Sequence, residues 1–107
     1  MYKIEILKPA WDDLERIGDL HYSMSGPLSA KKVTDGILDS IAALDTFPFG
    51  YPMVPDSKLA EEGYRMVIYK KYLSIYRVID DTVYIYHIAD GRTDYPQIFK
   101  TEKSISR

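Results

Sequence analysis

Residues 64–89 read YRMVIYKKYLSIYRVIDDTVYIYHIA. Three runs rich in tyrosine, valine and isoleucine are cut by two short polar connections, Lys70-Lys71 and Asp80-Asp81-Thr82. Aromatic and β-branched side chains suit a pleated, half-buried backbone, and brief polar breaks between such runs are hairpin connections. Tyr64–Tyr69, Tyr72–Ile79 and Val83–Ala89 are therefore predicted to be three antiparallel strands in a meander. The second connection has ordinary hairpin chemistry but lacks the favoured glycine. Tyr72–Ile79 is apolar on both faces, with Leu73, Ile75 and Ile79 on one and Tyr72, Tyr76 and Val78 on the other, so it should be the central strand. Arg77 shares the first of these faces. Gly91 ends the third run, and Gln97 to Arg107 reads as a short tail with one helical turn.

Upstream the period changes. Tyr2, Ile4 and Ile6 alternate with Lys3, Glu5 and Leu7, which predicts a short strand. Pro9 suits the first turn of a helix, and Asp12, Asp13 and Glu15 suit its positive end. Trp11, Leu14, Gly18 and His21 share a stripe with Ile17 and Leu20 beside it, predicting an amphipathic helix from Pro9 to about Met24 with Trp11 in the core. Ser25-Gly26-Pro27 is a stop and a restart. A second helix, Leu28 to Asp45, follows on the stripe Ala30, Val33, Ile37, Ile41 and Leu44, flanked by Leu38 and Ala42. Helices joined this tightly form an antiparallel hairpin, and the sheet is the available cover for its apolar face. Thr46 to Gly63, broken by Pro48, Gly50, Pro52 and Pro55, reads as a linker pinned to the core by Phe47, Phe49 and Tyr51. The order β-α-α-β-β-β predicts an α+β fold, a helical hairpin packed on a mainly antiparallel sheet. Where the first strand joins that sheet is left open.

The chain has 107 residues, 46% hydrophobic and 28% charged, which excludes disordered and fibrous classes and predicts one domain over residues 1–107. It contains no cysteine, so no disulfide framework, thiolate zinc site or cysteine nucleophile is available. Two histidines, His21 and His87, cannot build a metal site alone, and no cofactor is implied. The opening MYKIEILKPAWDD is not a secretory signal, and no apolar run approaches the ~20 residues of a membrane helix, so a soluble, cytoplasmic protein without a membrane partner is expected. Net charge is −2, which argues against a general polyanion binder. The charge is divided unevenly: residues 1–63 hold 11 acids and 6 bases, residues 64–107 hold 5 acids, 8 bases and seven of the ten tyrosines. Either this is surface fluctuation combined with the β-preference of tyrosine, or the C-terminal sheet meets a polyanion or an acidic partner.

The predicted order, together with Pro9-Ala10, Asp13-Leu14, Phe47-Pro48, Gly63-Tyr64-Arg65-Met66-Val67, Tyr72 to Val78, His87-Ile88 and Gly91-Arg92-Thr93-Asp94-Tyr95, resembles the RelE/ParE superfamily of bacterial toxins from type II toxin–antitoxin modules. The resemblance covers about residues 2 to 99. It implies a growth-inhibiting toxin neutralised by a cognate antitoxin, which wraps the helical hairpin and the sheet edge. Members differ in target: some cut mRNA on the ribosome, others poison DNA gyrase, and some have no known activity. A catalytically silent member serving as an antitoxin-binding module and co-repressor is the alternative.

Cleaving RNA through its own 2′-hydroxyl needs a proton acceptor, a cation on the phosphoryl oxygens and a proton donor for the leaving oxygen. The resemblance places Arg65 and Arg92 at basic family positions. Val67 and Leu73 stand where the ribonucleases have lysine and arginine, and Phe99 stands where a terminal tyrosine is often found. The site expected on this basis is Arg65, Arg92, Arg77 and His87. Each has a plainer reading: Arg65 as a surface ion pair to Glu61 or Glu62, Arg77 as a cation at the sheet rim, Arg92 as a turn residue, His87 as a hydrogen-bonded, half-buried residue. The wording Tyr-Arg-Val and Gly-Arg-x-Asp-Tyr is closer to the gyrase-directed branch.

Overall fold

The computed structural model describes residues 1–92 together with Tyr95, Pro96 and Phe99. Its elements are β1 (Lys3–Ile6), α1 (Lys8–Ser25), α2 (Pro27–Ala42), α3 (Ser57–Glu61), β2 (Arg65–Tyr69), β3 (Tyr72–Ile79) and β4 (Thr82–Asp90). Two 3-10 turns, Ala43–Asp45 and Pro48–Gly50, lie between α2 and α3. The four strands form one sheet in the order β1-β4-β3-β2. β2, β3 and β4 make the expected antiparallel meander, with β3 an interior strand. β1 settles the open question of its own place by pairing parallel to β4, Ile4 opposite Val83 and Ile6 opposite Ile85.

The first meander turn is Lys70-Lys71, as expected, and the second is tighter than the sequence suggested. Thr82 is already in β4, paired with Ile79, so each connection is two residues long. Such turns need a positive φ, and Lys70 (φ 56°) and Asp80 (φ 55°) adopt it. Asp tolerates that region well; Lys does not. Gly26 (φ 88°) breaks the hairpin in a single residue: its amide bonds back to the Tyr22 carbonyl at 2.8 Å, and Pro27 opens the next helix.

The helical hairpin covers one face of the sheet. α2 buries Val33, Ile37 and Ile41, with Leu44 in the turn beyond, on the face the stripe predicted. α1 sits rotated by about one residue from its predicted stripe. It buries Ala10, Asp13, Leu14 and Ile17, and Trp11 is 48% exposed rather than in the core. One residue on a helix is about 100°, enough to carry Trp11 off the sheet when Ala10 packs against it. Gly36 allows the hairpin to approach β2, because a Cβ there would overlap the ring of Tyr69.

The other face of the sheet carries a second core: Val54, Leu59, Tyr64, Ile75, Ala89, Tyr95 and Phe99. Residues 46–63 therefore do more than link. Asp56 caps α3, its carboxylate accepting from the Leu59 amide at 3.0 Å, and α3 delivers Leu59 onto the sheet. Phe47 and Phe49, expected to pin this segment, are 71% and 57% exposed. Pro48 is buried in their place, and its carbonyl accepts a 2.5 Å hydrogen bond from the buried Tyr76 hydroxyl. Of the predicted tail, only Phe99 lies within the described residues.

Candidate functional site

β1 covers only Thr82 to Ile85 of β4. Beyond it the edge of β4 would expose unpaired backbone groups, and α1 starts just there. Asp13, on the buried face of α1, fills the gap: its Oδ2 accepts from the Ile88 amide at 2.9 Å and meets His87 Nδ1 at 2.8 Å. Its Oδ1 accepts from the Arg16 guanidinium at 2.8 Å. Burial by itself would raise the Asp13 carboxyl, but the hydrogen bonds from His87, the Ile88 amide and Arg16 outweigh it and hold the group below its ordinary range. An ionised carboxylate only accepts, so His87 carries its proton on Nδ1. The ladder slips here: Tyr76 pairs with Ile85 and Ile75 with His87, leaving Tyr86 as the extra residue of a bulge. The bulge explains how consecutive residues, His87 and Ile88, can both reach Asp13.

The four predicted residues are not gathered into one site. His87 is 4% exposed, bonded to Asp13, with the ring of Phe99 edge-on at 5.2 Å. Arg77 lies on the second face between the rings of Tyr64 (5.0 Å) and Tyr86 (5.4 Å), donating to the Tyr86 hydroxyl at 3.0 Å and to the Glu62 carbonyl. Desolvation works against its charge, yet Tyr86, Tyr64 and Glu62 raise its pKa on balance. Arg77 and His87 thus border one aromatic cluster, Tyr64, Tyr86 and Phe99. Arg65 is on the edge strand, where its guanidinium donates to the carbonyls of Tyr51 (2.6 Å) and Phe49 (3.3 Å) and lies over the Phe49 ring. It staples the loop before α3, where a surface ion pair was the plainer expectation. Arg92 grips Asp90 in a two-pronged pair, 3.1 and 3.0 Å, with its side chain 80% exposed. That guanidinium holds Asp90 far below the usual carboxylate range.

Asp13 is the residue that sequence reading undervalued, as a first-turn acid. The available signal was its spacing: it falls three residues after Ala10 and four before Ile17, a carboxylate on a buried stripe, which requires a partner. Among the described residues no group of three His, Cys, Asp or Glu could hold a metal ion, and no helix is long and apolar enough to cross a membrane.

A groove of about 490 Å³ runs along the solvent side of the seam between α1 and α2, floored by Leu14, Gly18, Ala30 and Leu38. Trp11 and Tyr22 stand exposed beside it, and Asp12, Glu15 and Asp19 line it opposite Lys31. At the other end of the sheet order, β2 is an edge strand, bridged on its open side only between Met53 and Arg65 among the described residues, with Ile68 53% exposed.

The fold is thus a hairpin of helices on a β1-β4-β3-β2 sheet, with the groove along the helix seam and the edge of β2 exposed. Comparison with known proteins gives its family. The family model for the ParE toxin of the type II toxin–antitoxin system parDE matches residues 4–95, and the chain belongs to that family. It is the toxin component of a type II toxin–antitoxin system. Among solved structures the chain is similar in fold to one from the chromosomal ParDE toxin–antitoxin system of P. aeruginosa, with a TM-score of 0.73 and 21% identity over 84% of this chain and 96% of that one. No curated protein matches it.

Proposed function

We propose that this toxin arrests growth by occupying a macromolecular target, DNA gyrase, and that it does not cut RNA. The observation that carries the reading is the burial of the two proton-moving groups nearest the expected site, His87 and Tyr95. His87 and Tyr95 are 4% and 9% exposed, and His87 Nδ1 is committed to Asp13. Burial also raises the Tyr95 phenol, opposing its use as a general base. Arg65, Arg77 and Arg92 lie in three separate surroundings, so no single phosphate can be met by the set. A ribonuclease needs cation, acid and base within reach of one phosphodiester. A binding inhibitor needs a surface. On this reading residues 1–107 act as one cytoplasmic domain, and the exposed Arg92 contributes to the target surface.

The cognate antitoxin is the partner of such a toxin. We place it along the groove between α1 and α2, with an extended segment adding to the open edge of β2; apolar grooves take amphipathic helices and edge strands take strands. A silent antitoxin-binding module would use the same two surfaces, and induction without the antitoxin separates the readings, since only a toxin stops growth. The target is tested by primer extension on cellular mRNA beside a supercoiling assay with purified gyrase. Lost supercoiling with intact mRNA is the expected result. Codon-phased mRNA cuts that vanish in His87→Ala would overturn the proposal.

A further inference from the structure

We propose that Glu15 and Asp19 are the residues by which the groove between α1 and α2 selects its antitoxin, and that its occupant is a basic amphipathic helix. The proposal rests on the reading that the antitoxin lies along this groove, and states what the bound segment must be. Leu14, Gly18, Ala30 and Leu38 give the groove an apolar floor. At Gly18 the two helices pass so closely that a Cβ would stand 3.2 Å from the Thr34 methyl, so the floor there is backbone and small side chains, open to larger ones from outside. Trp11 and Tyr22, both exposed, are the first and last residues of α1 in the lining. Along the helix axis they are about 16 Å apart, the length of about three turns of a partner helix.

The charge around that floor is lopsided. Asp12, Glu15 and Asp19 line the groove against one cation, Lys31. Two of these four are already matched within the chain: Lys8 holds Asp12 at 3.1 Å, and Lys31 holds Asp35. Glu15 and Asp19 are both exposed, and among the described residues neither has a cation within ion-pair distance. One turn apart on α1, they share a face of the helix, where like charges repel and destabilise it. The helix dipole does not account for Asp19, which lies beyond the first turns where the positive end is felt. The pair therefore strains the free toxin slightly, and a cation from outside removes that strain. Two Lys or Arg residues one turn apart match the spacing of Glu15 and Asp19 when their helix runs alongside α1. An apolar stripe beside this basic pair meets the floor, the usual way an amphipathic helix lies in a groove. Charges at the edge of such a contact govern partner choice and encounter rate, because a helix with acids there meets like charge. Part of the acid excess of residues 1–63 thus has a role in recognition.

The test is calorimetry and stopped-flow association of the toxin with the antitoxin of its own module. Asp19→Lys should keep or raise Tm, because it turns a repulsive pair one turn apart into an attractive one in the favoured order. It should nonetheless bind at least about tenfold more weakly, chiefly through a slower association, with the loss shrinking as salt rises. The double variant Glu15→Lys, Asp19→Lys should lose more, and Asp19→Glu should bind as wild type does. Glu5→Lys makes the same change in net charge on β1, away from the groove, and should also bind as wild type does. Reversing a single Lys or Arg of the antitoxin helix to Glu should restore binding to Asp19→Lys. Unchanged affinity in the double variant, an equal loss in Glu5→Lys, or no reversal that restores binding would overturn the selection by charge. If Trp11→Ala still weakens binding in that event, the antitoxin lies in the groove and only its charge is misassigned. If neither Trp11→Ala nor the double variant changes affinity, the placement in the groove fails with it.

Discussion

Asp13→Ala is the most informative single change. The side chain closes the open edge of β4 by accepting from the Ile88 amide and from His87, both buried. Removing it strands two donors with no route to water. Each unsatisfied buried group costs about 1–3 kcal/mol, so the loss is roughly 2–6 kcal/mol. Set against a total stability of about 5–15 kcal/mol, that is a large fraction. At about 4–8 °C per kcal/mol for a domain of this size, Tm should fall by on the order of 10 °C or more. Asp13→Asn keeps one oxygen acceptor and should lose about half as much. The pH dependence gives a second readout. The Asp13 carboxyl titrates lower in the fold than its ordinary value near 3.9. Its contribution is therefore complete above that value and is lost as pH falls through the folded pKa. Wild type should lose Tm on acidification below about pH 4, and Asp13→Asn should lose less across the same window. Asp81 and Asp90, also lowered, remain in both proteins, so the difference reports Asp13. Differential scanning fluorimetry from neutral pH downward measures both effects. A Tm for Asp13→Ala within about 3 °C of wild type would refute the reasoning.

Ile41→Asp puts an unpaired carboxylate at a site 1% exposed, and several kcal/mol of destabilisation should leave the chain unfolded at room temperature, as read by circular dichroism. Gly36→Ala should destabilise by about 1–3 kcal/mol despite alanine's better helix propensity, because the new methyl meets the Tyr69 ring; a denaturation midpoint equal to or above wild type would show that the ring moves aside freely. Trp11→Ala should change stability by less than about 1 kcal/mol, since the side chain is half exposed, yet weaken antitoxin binding at least tenfold, about 1.4 kcal/mol, in calorimetry. Unchanged affinity would move the antitoxin off the groove between α1 and α2.

The elements themselves were legible in the chain. Alternation in residues 64–89, the Gly26-Pro27 break and the Val33-Ile37-Ile41-Leu44 stripe are local patterns, and local patterns dictate helices, strands and turns. The family wording in Gly63 to Val67 and Gly91 to Tyr95 was also on the page, and the match over residues 4–95 bears it out. What the sequence could not decide is where long-range partners meet. Whether Trp11 or Ala10 faces the sheet turns on one residue of helix rotation, and both stripes contain Leu14. The parallel seat of β1 beside β4 depends on a crossover through both helices. The second core needs Leu59 and Val54, from a segment whose prolines hide any period. Arg65, Arg77 and Arg92 are alike as sequence positions, yet each long side chain found carbonyls, rings or a carboxylate within its own neighbourhood. The bond between Asp13 and His87 spans 74 positions, and a buried carboxylate and a buried ring nitrogen are matched only once packing removes water from both.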